Sequence, residues 1–144
     1  MLIGEYRHAV DAKKRLSIPA KFRHEIGIKA VLARSLDTSL ALYPIAEWNV
    51  LAEKLSQLSQ GQAGTRGFVR FMLAGAEEVD IDSLGRILIP DYLKTYAHIE
   101  SAVVIIGVSN RLEIWDEKIW EAYEKEASSN IQNIAERLGE LGIY

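Results

Sequence analysis

The hydrophobic pattern along the chain changes several times between a two-residue period and a helical period, which predicts strands alternating with helices. Apolar runs and apolar–polar alternation, bounded by turn formers, predict strands in the first half at residues 3–10, 15–18, 30–34 and 40–43. The second half repeats this order, with predicted strands at residues 77–81, 86–89, 102–106 and 111–115. The pattern therefore predicts an α+β protein.

Helical spacing predicts one longer helix after Pro44 and several short helices. Trp48, Leu51, Leu55 and Leu58 lie three, four and three residues apart, which places them on one helix face. Shorter helices are predicted at residues 20–25, with Gly27 as C-terminal cap, and at residues 68–74 and 91–96.

The last part of the chain carries a long apolar stripe at helical spacing. Asp116 is its predicted N-cap. The stripe consists of Trp120, Tyr123, Ala127, Ile131, Ile134, Leu138 and Leu141. Small polar residues interrupt it at 128–130, so either one helix or two is compatible with the pattern. In both cases the stripe needs a surface to lie against.

A nine-residue sequence occurs twice and divides the chain into two similar units. The residues DAKKRLSIP at 11–19 return as DSLGRILIP at 82–90, with Asp, Arg, Ile and Pro in the same places. The flanks also match, as in the pairs Val31 and Val103, Leu40 and Leu112, and Trp48 and Trp120. Three residues between the Asp and the Arg suit a tight reversal that feeds a strand, and Gly85 supplies a positive φ in the second copy.

The repeat sets the predicted domain boundaries. The first unit covers residues 5–47, a helical linker covers 48–75 and includes the polar, glycine-containing segment 59–67, the second unit covers 76–119, and a C-terminal helical region covers 120–144. A domain of about 60 residues buries only about 60% of its unfolded surface, so each unit alone has a marginal core. We therefore expect the two units to pack on each other or on other chains.

Charge is distributed unevenly along the chain. The net charge is −3, but residues 1–35 carry eight Lys or Arg against three Asp or Glu, a net charge of +5 that leaves −8 for the remainder. A basic N-terminal segment and an acidic remainder of the chain indicate a polyanionic partner. The 49% hydrophobic content and the absence of cysteine indicate a globular protein without disulfides or thiol chemistry.

The basic residues on and around the first turn are the candidate DNA contacts. A two-stranded ribbon or its turn can enter a major groove about 12 Å wide, so Lys13, Lys14 and Arg15 can meet base edges or phosphates. Arg15 is the candidate for bidentate contact with guanine, and the two lysines suit phosphates. Three further candidates, which could equally be solvated surface charges, are Arg7, Lys21 and Arg23.

The acidic and basic members of the two nine-residue copies also have a purely structural interpretation. Asp11 with Arg15, and Asp82 with Arg86, are expected to shape their turns, as ion pairs across three residues. For Arg15, flanked by two lysines, DNA contact is the favoured role. The second turn offers Ser83, Leu84 and Gly85 instead of lysines, which leaves its role on DNA open.

Other functions find little support in the residues. The three histidines, His8, His24 and His98, have no ligand spacing typical of zinc, and no cofactor motif is present. An acidic run from Glu77 to Asp82 is better explained as a solvated strand face than as a catalytic carboxylate pair, so no enzyme is expected. We expect a cytoplasmic protein without a membrane span.

The two copies of D-x-x-x-R in register, at Asp11 with Arg15 and at Asp82 with Arg86, resemble the signature of the MraZ family of bacterial transcriptional regulators. The likeness extends to LYP at 42–44, GRILIP at 85–90 and LEIWD at 112–116. Members of that family consist of two tandem SpoVT/AbrB-like units of swapped β hairpins. The family often carries a glycine where this chain has Lys14.

The resemblance implies a function as well as a fold. It implies a homo-oligomeric ring, of octamer or dodecamer type, that binds double-stranded promoter DNA on the nucleoid. The promoter lies upstream of the division and cell-wall gene cluster and contains short direct repeats, and the usual effect is repression. A second class is an antitoxin-like interaction module, because AbrB-like units also occur in antitoxins. Those usually have one unit and a disordered toxin-binding tail.

Overall fold

Eight strands and five helices form the fold of residues 1–144, all of which the computed structural model describes. The strands are β1 (Leu2–Ala9), β2 (Arg15–Ser17), β3 (Lys29–Arg34), β4 (Leu40–Pro44), β5 (Glu77–Asp80), β6 (Arg86–Leu88), β7 (Ala102–Ser109) and β8 (Leu112–Asp116). The helices are α1 (Ala20–Ile26), α2 (Ile45–Ser56), α3 (Ala63–Ala74), α4 (Asp91–Tyr96) and α5 (Glu117–Glu140). The α+β class predicted from the sequence is confirmed.

The two units exchange their first strands. Six strands form one sheet in the order β1-β7-β8-β4-β3-β5, so β1 of the first unit pairs with β7 of the second, and β5 of the second pairs with β3 of the first. At the β1–β7 contact Gly4 lies opposite Gly107, where the two backbones come unusually close. Neither unit therefore has a complete sheet of its own.

The two short strands after the turns pair with each other and form a separate ribbon. Antiparallel β2 and β6 place Leu16 opposite Ile87, which is its counterpart in the repeat. The pairing of β4 with β8 likewise places Ala41 opposite its counterpart Glu113. Because equivalent residues face each other at both places, a pseudo-two-fold axis relates the two units.

The main core lies between one face of the six-stranded sheet and a layer made of the ribbon, α1 and α4. It contains 20 buried residues drawn from both units, among them Leu16, Ile87, Phe22 and Leu93. On the other face of the sheet, α2 covers a small cluster around Tyr43, and α5 covers another around Trp115. The ribbon and α5 therefore lie on opposite faces of the sheet.

One helix starts earlier than predicted, and another resolves an alternative that the sequence left open. α3 begins at Ala63, whereas the sequence predicted a start at residue 68. Gly64 and Gly67, which suggested a linker, lie inside this helix. α5 runs unbroken through 128–130, where the Ser128 and Ser129 hydroxyls donate to carbonyls three residues earlier in the same helix. None of the five helices combines the length and apolar character that crossing a bilayer requires.

The beginning of α5 is as predicted, but its apolar stripe is not buried. The Asp116 carboxylate accepts from the backbone N–H groups of Lys118 and Ile119, which confirms the predicted N-cap. Trp115 is buried, whereas Trp48 and Trp120 are only half-buried. Beyond Tyr123 no side chain of α5 joins a hydrophobic cluster.

Candidate nucleic-acid interface

The first basic turn is shaped by the carboxylate of Asp11. One of its oxygens accepts from the backbone N–H of Lys13 at 2.8 Å and from that of Arg15 at 3.0 Å. The Lys14 N–H donates to the Asp11 carbonyl at 3.0 Å, and the Asp11 N–H donates to the Arg15 carbonyl at 3.0 Å. These four bonds satisfy most backbone groups of the turn and fix its path.

The second turn has the same geometry with different side chains. An Asp82 carboxylate oxygen accepts from the N–H of Leu84 and from that of Arg86, each at 2.9 Å. Gly85 has a positive φ of 79°, as predicted, and Lys14 at the equivalent place has φ 63°. Lys14 therefore adopts the left-handed conformation that a glycine would adopt more easily, and the turn is the same without the glycine.

Each turn is also bonded to the strand that follows the other turn. The carbonyl of Lys14 accepts from the Ile89 N–H at 2.9 Å, and the carbonyl of Gly85 accepts from the Ile18 N–H at 2.8 Å. The side chains of Leu16 and Ile87 anchor the ribbon from below, since both are buried in the main core. The basic turn is thus held on a rigid support.

The side chains of Lys13, Arg15 and Lys21 form no ion pair or hydrogen bond within the chain. Lys13 and Lys21 are exposed, and Arg15 is half-buried on the outward face of the ribbon beside Leu88. Lys14 differs, because its ammonium lies 2.7 Å from a carboxylate oxygen of Asp91 at the start of α4. The first turn therefore offers Lys13 and Arg15 as cations free to bind an anionic partner.

Arg23 links α1 to the second turn. Its guanidinium Nε donates to the Ile18 carbonyl at 2.9 Å, and the guanidinium lies so close over Gly85 that a Cβ there would be 2.1 Å from Nε. The second turn has no lysine, but it receives this cation from the first unit. Sequence reasoning could not place Arg23 there, because the contact depends on the pairing of the two ribbon strands.

Arg7 lies elsewhere. It projects from β1 toward α5, where its guanidinium is 3.2 Å from Glu121, 3.4 Å from Glu117 and 3.6 Å from Glu5. This is the face of the sheet opposite to the ribbon. The position gives no support for placing Arg7 on one surface with Lys13 and Arg15.

The two signature Asp and Arg pairs are not equivalent. In the second turn the Arg86 Nε is 2.9 Å from an Asp82 carboxylate oxygen, so the ion pair expected there is present. In the first turn the Asp11 carboxylate accepts hydrogen bonds only from backbone N–H groups, and the Arg15 guanidinium forms no ion pair. The N–H of Arg15, and then that of Lys13, hold the pKa of the Asp11 carboxyl below its ordinary value.

The Asp82 carboxylate in the second turn should make the stability of the protein depend on pH in the acid range. The N–H of Arg86, and then its guanidinium and the N–H of Leu84, lower the pKa of the Asp82 carboxyl. Ionised Asp82 therefore stabilises the fold above its unfolded pKa of about 3.9, and this contribution disappears as the pH falls through the lower folded pKa. In Asp82→Asn we expect a lower Tm at pH 7 and a smaller drop in Tm between pH 5 and pH 3.

Thermal denaturation of both proteins across that pH range measures the difference. Asp37→Asn is the matched control, because Asp37 is an exposed loop residue with no hydrogen bond or ion pair. Equal pH dependence in Asp82→Asn and the unaltered protein would contradict this account of the turn.

The structure contains no group of three or more His, Asp or Glu side chains arranged to hold a metal ion. Its distinctive chemistry is concentrated in two Asp-anchored turns on a ribbon shared by two strand-exchanged units. Such an arrangement defines the tandem swapped-hairpin class of β-rich proteins.

The chain belongs to the MraZ family. The family model described as "MraZ protein, putative antitoxin-like" matches it twice, at residues 1–71 and 72–140, once for each unit. The chain is 48% identical to the protein named Transcriptional regulator MraZ of Clostridium tetani, and 46% identical to the protein of the same name of Natranaerobius thermophilus. Each alignment covers 143 residues, which is 99% of this chain and 100% of the relative.

Proposed function

We propose that this protein is a DNA-binding transcriptional regulator that contacts promoter DNA through its first turn. The proposal rests on Arg15, whose guanidinium lies on a rigid ribbon and forms no ion pair. A planar guanidinium held in this way suits bidentate hydrogen bonding to the O6 and N7 atoms of guanine in the major groove. The relatives named above carry the name of transcriptional regulators.

The neighbouring cations suit the phosphate backbone. Lys13 on the turn and Lys21 on α1 are exposed and unpaired, and Arg23 lies beside the second turn. Phosphate contacts of this kind set the orientation of a protein on the duplex, while base contacts select the sequence. In this proposal Lys14 contributes less, because Asp91 already neutralises it, and Arg7 does not take part.

The assembly and the target follow the family resemblance. We propose a homo-oligomeric ring in which several copies of the first turn engage short direct repeats upstream of the division and cell-wall gene cluster, including the promoter of the protein's own operon. Bound there, the ring would exclude the transcription machinery and act as a repressor, in the cytoplasm and on the nucleoid. The net charge of −8 outside residues 1–35 disfavours non-specific binding by the remainder of the chain.

An antitoxin-like interaction module is the second candidate, because the family to which the chain belongs is described as antitoxin-like. Such a protein would bind a small toxic partner through a segment that folds on binding. Co-purification from cells with a protein encoded by an adjacent gene would support this alternative. A pure homo-oligomer that binds the promoter fragment would count against it.

Salt and repeat number together test the proposal. If two copies each neutralise about three phosphates, log K should fall with log salt at a slope of about −5, and more steeply if more copies bind, because each phosphate contributes about −0.9. A fragment with one repeat should bind about 100-fold or more weakly than a fragment with the full set, since linked sites gain by effective concentration. An affinity that changes with neither the salt concentration nor the number of repeats would contradict the proposal. A scrambled fragment of equal length is the control.

A further inference from the structure

The outward face of the ribbon carries an exposed leucine directly beside Arg15. In the antiparallel pairing of β2 with β6, Arg15 lies opposite Leu88, next to the buried pair Leu16 and Ile87. Leu88 is 56% exposed and joins none of the hydrophobic clusters of the chain. The packing of the chain therefore gives no reason for a leucine at this position.

The pseudo-two-fold axis shows that this combination occurs at one end of the ribbon and not at the other. The other end pairs Ser17 with Arg86, which are the counterparts of Leu88 and Arg15 in the repeat. The Arg86 guanidinium is bound to Asp82, and Ser17 offers a hydroxyl in place of an apolar surface. Only the end with Arg15 therefore combines an unpaired guanidinium with an exposed apolar side chain.

These two side chains match two different groups of the major groove. A guanidinium binds O6 and N7 of guanine, whereas an apolar side chain contacts the C5 methyl group of thymine. Residues opposite each other in an antiparallel pair have Cα atoms about 4.5–5.5 Å apart. Successive base pairs lie about 3.4 Å apart along the duplex. At this spacing the side chain opposite Arg15 meets the base pair next to the guanine.

We propose that Leu88 is a specificity-determining residue, whose side chain contacts the methyl group of a thymine in the base pair next to the guanine that Arg15 binds. The inference rests on the proposed function and extends it to a second base pair. Leu88 belongs to β6, so each repeat is read by residues from both units of the chain. The second unit thus has a direct role on DNA although its turn has no lysine.

Uracil in place of thymine tests the contact, because the two bases differ only by the methyl group. Burial of one such group corresponds to about a fourfold change in affinity, and its burial in two engaged copies to about 15-fold. We expect the unaltered protein to bind its own promoter fragment more weakly by that factor when every thymine is replaced by uracil. Leu88→Ala should lose a comparable factor on the thymine fragment and lose nothing further on the uracil fragment.

Fluorescence anisotropy on each combination of protein and fragment measures these factors as a double-mutant cycle. Leu36→Ala is the matched control, because Leu36 is also an exposed leucine but lines an open groove beside Ala122 and Tyr123 of α5. It should behave like the unaltered protein on both fragments. An equal loss on uracil in Leu88→Ala and in the unaltered protein would overturn the proposal, and so would the absence of a loss in either.

Single replacements, made at the same place in every repeat, locate the two contacts. 7-Deazaguanine removes the N7 atom that Arg15 binds, and a single uracil removes one methyl group. The guanine and the thymine whose replacement weakens binding most should lie in adjacent base pairs. A separation of two or more base pairs would overturn the proposal, because the register of β2 and β6 holds Arg15 and Leu88 side by side.

Two further measurements separate this inference from the proposed function. Light scattering should give the same mass for Leu88→Ala as for the unaltered protein, and a changed mass would show that Leu88 packs against another copy instead. Arg15→Ala should lose promoter affinity whether or not Leu88 contacts thymine. Failure of the Leu88 prediction alone therefore leaves the proposed function intact, whereas promoter binding that is unchanged in both variants would overturn both.

Discussion

Replacing Arg15 by alanine should lower the affinity of the protein for its own promoter fragment by at least about 100-fold at physiological salt. A bidentate contact between arginine and guanine contributes about 1–3 kcal/mol of discrimination, and loss of two such contacts at about 1.5 kcal/mol each corresponds to that factor. The fold should not change. The Arg15 guanidinium has no partner inside the chain, and its backbone bond to Asp11 remains.

Titration of a labelled promoter fragment, followed by fluorescence anisotropy, measures the loss. Arg15→Lys keeps the charge but loses the planar fork, so it should retain non-specific binding and lose the preference for the promoter over a scrambled fragment. Lys118→Ala is the control, because Lys118 is an exposed cation on the face of the sheet that α5 covers. If Arg15→Ala bound the promoter as tightly as the unaltered protein, the first turn would not be the DNA contact.

Gly107→Ala should lower the stability of the folded protein by about 3 kcal/mol or more. A Cβ at residue 107 would lie 2.5 Å from the backbone nitrogen of Ile3 and 2.5 Å from the carbonyl carbon of Leu2. Backbone atoms cannot move aside by changing rotamer, so β1 must shift away from β7. That shift would also withdraw Leu2, which is 1% exposed, from the main core.

For a chain of this length, a loss of about 3 kcal/mol should lower Tm by roughly 10 °C. Differential scanning calorimetry at pH 7 measures it, and Gly61→Ala in the loop before α3 is the control, since the nearest atom to a Cβ there is 3.5 Å away. A Tm for Gly107→Ala within about 2 °C of the unaltered protein would mean that the contact between β1 and β7 is looser than the register indicates.

The elements and the turn chemistry could be predicted from the sequence because they depend on local residues. The alternation of apolar residues locates the strands, and the Asp, the Arg four residues later and the closing Pro locate both turns. The exchange of first strands could not be predicted from the apolar pattern, and only the family resemblance, with its swapped hairpins, implied it. The apolar pattern of β3 is equally compatible with pairing to β1 of its own unit or to β5 of the other.

In the candidate site, too, some features follow from neighbouring residues and others depend on long-range strand pairing. Lys13 and Arg15 stand out by their types and their place on a turn, and the structure leaves both without an internal partner. The pairing of Lys14 with Asp91, 77 residues away, follows from the exchange and has no local signal. The same applies to Arg7, whose three carboxylate neighbours lie on β1 and on α5.

The exchange of first strands also affects how the protein folds during synthesis. Leu2 pairs with Ser109, so the first strand emerges from the ribosome long before its partner exists. Until β7 has been translated, β1 has an open hydrogen-bonding edge, and β7 of a neighbouring nascent chain could pair with it just as well. Slower elongation should therefore raise the yield of entangled dimers, and rapid release of complete chains should favour the correct intramolecular pairing.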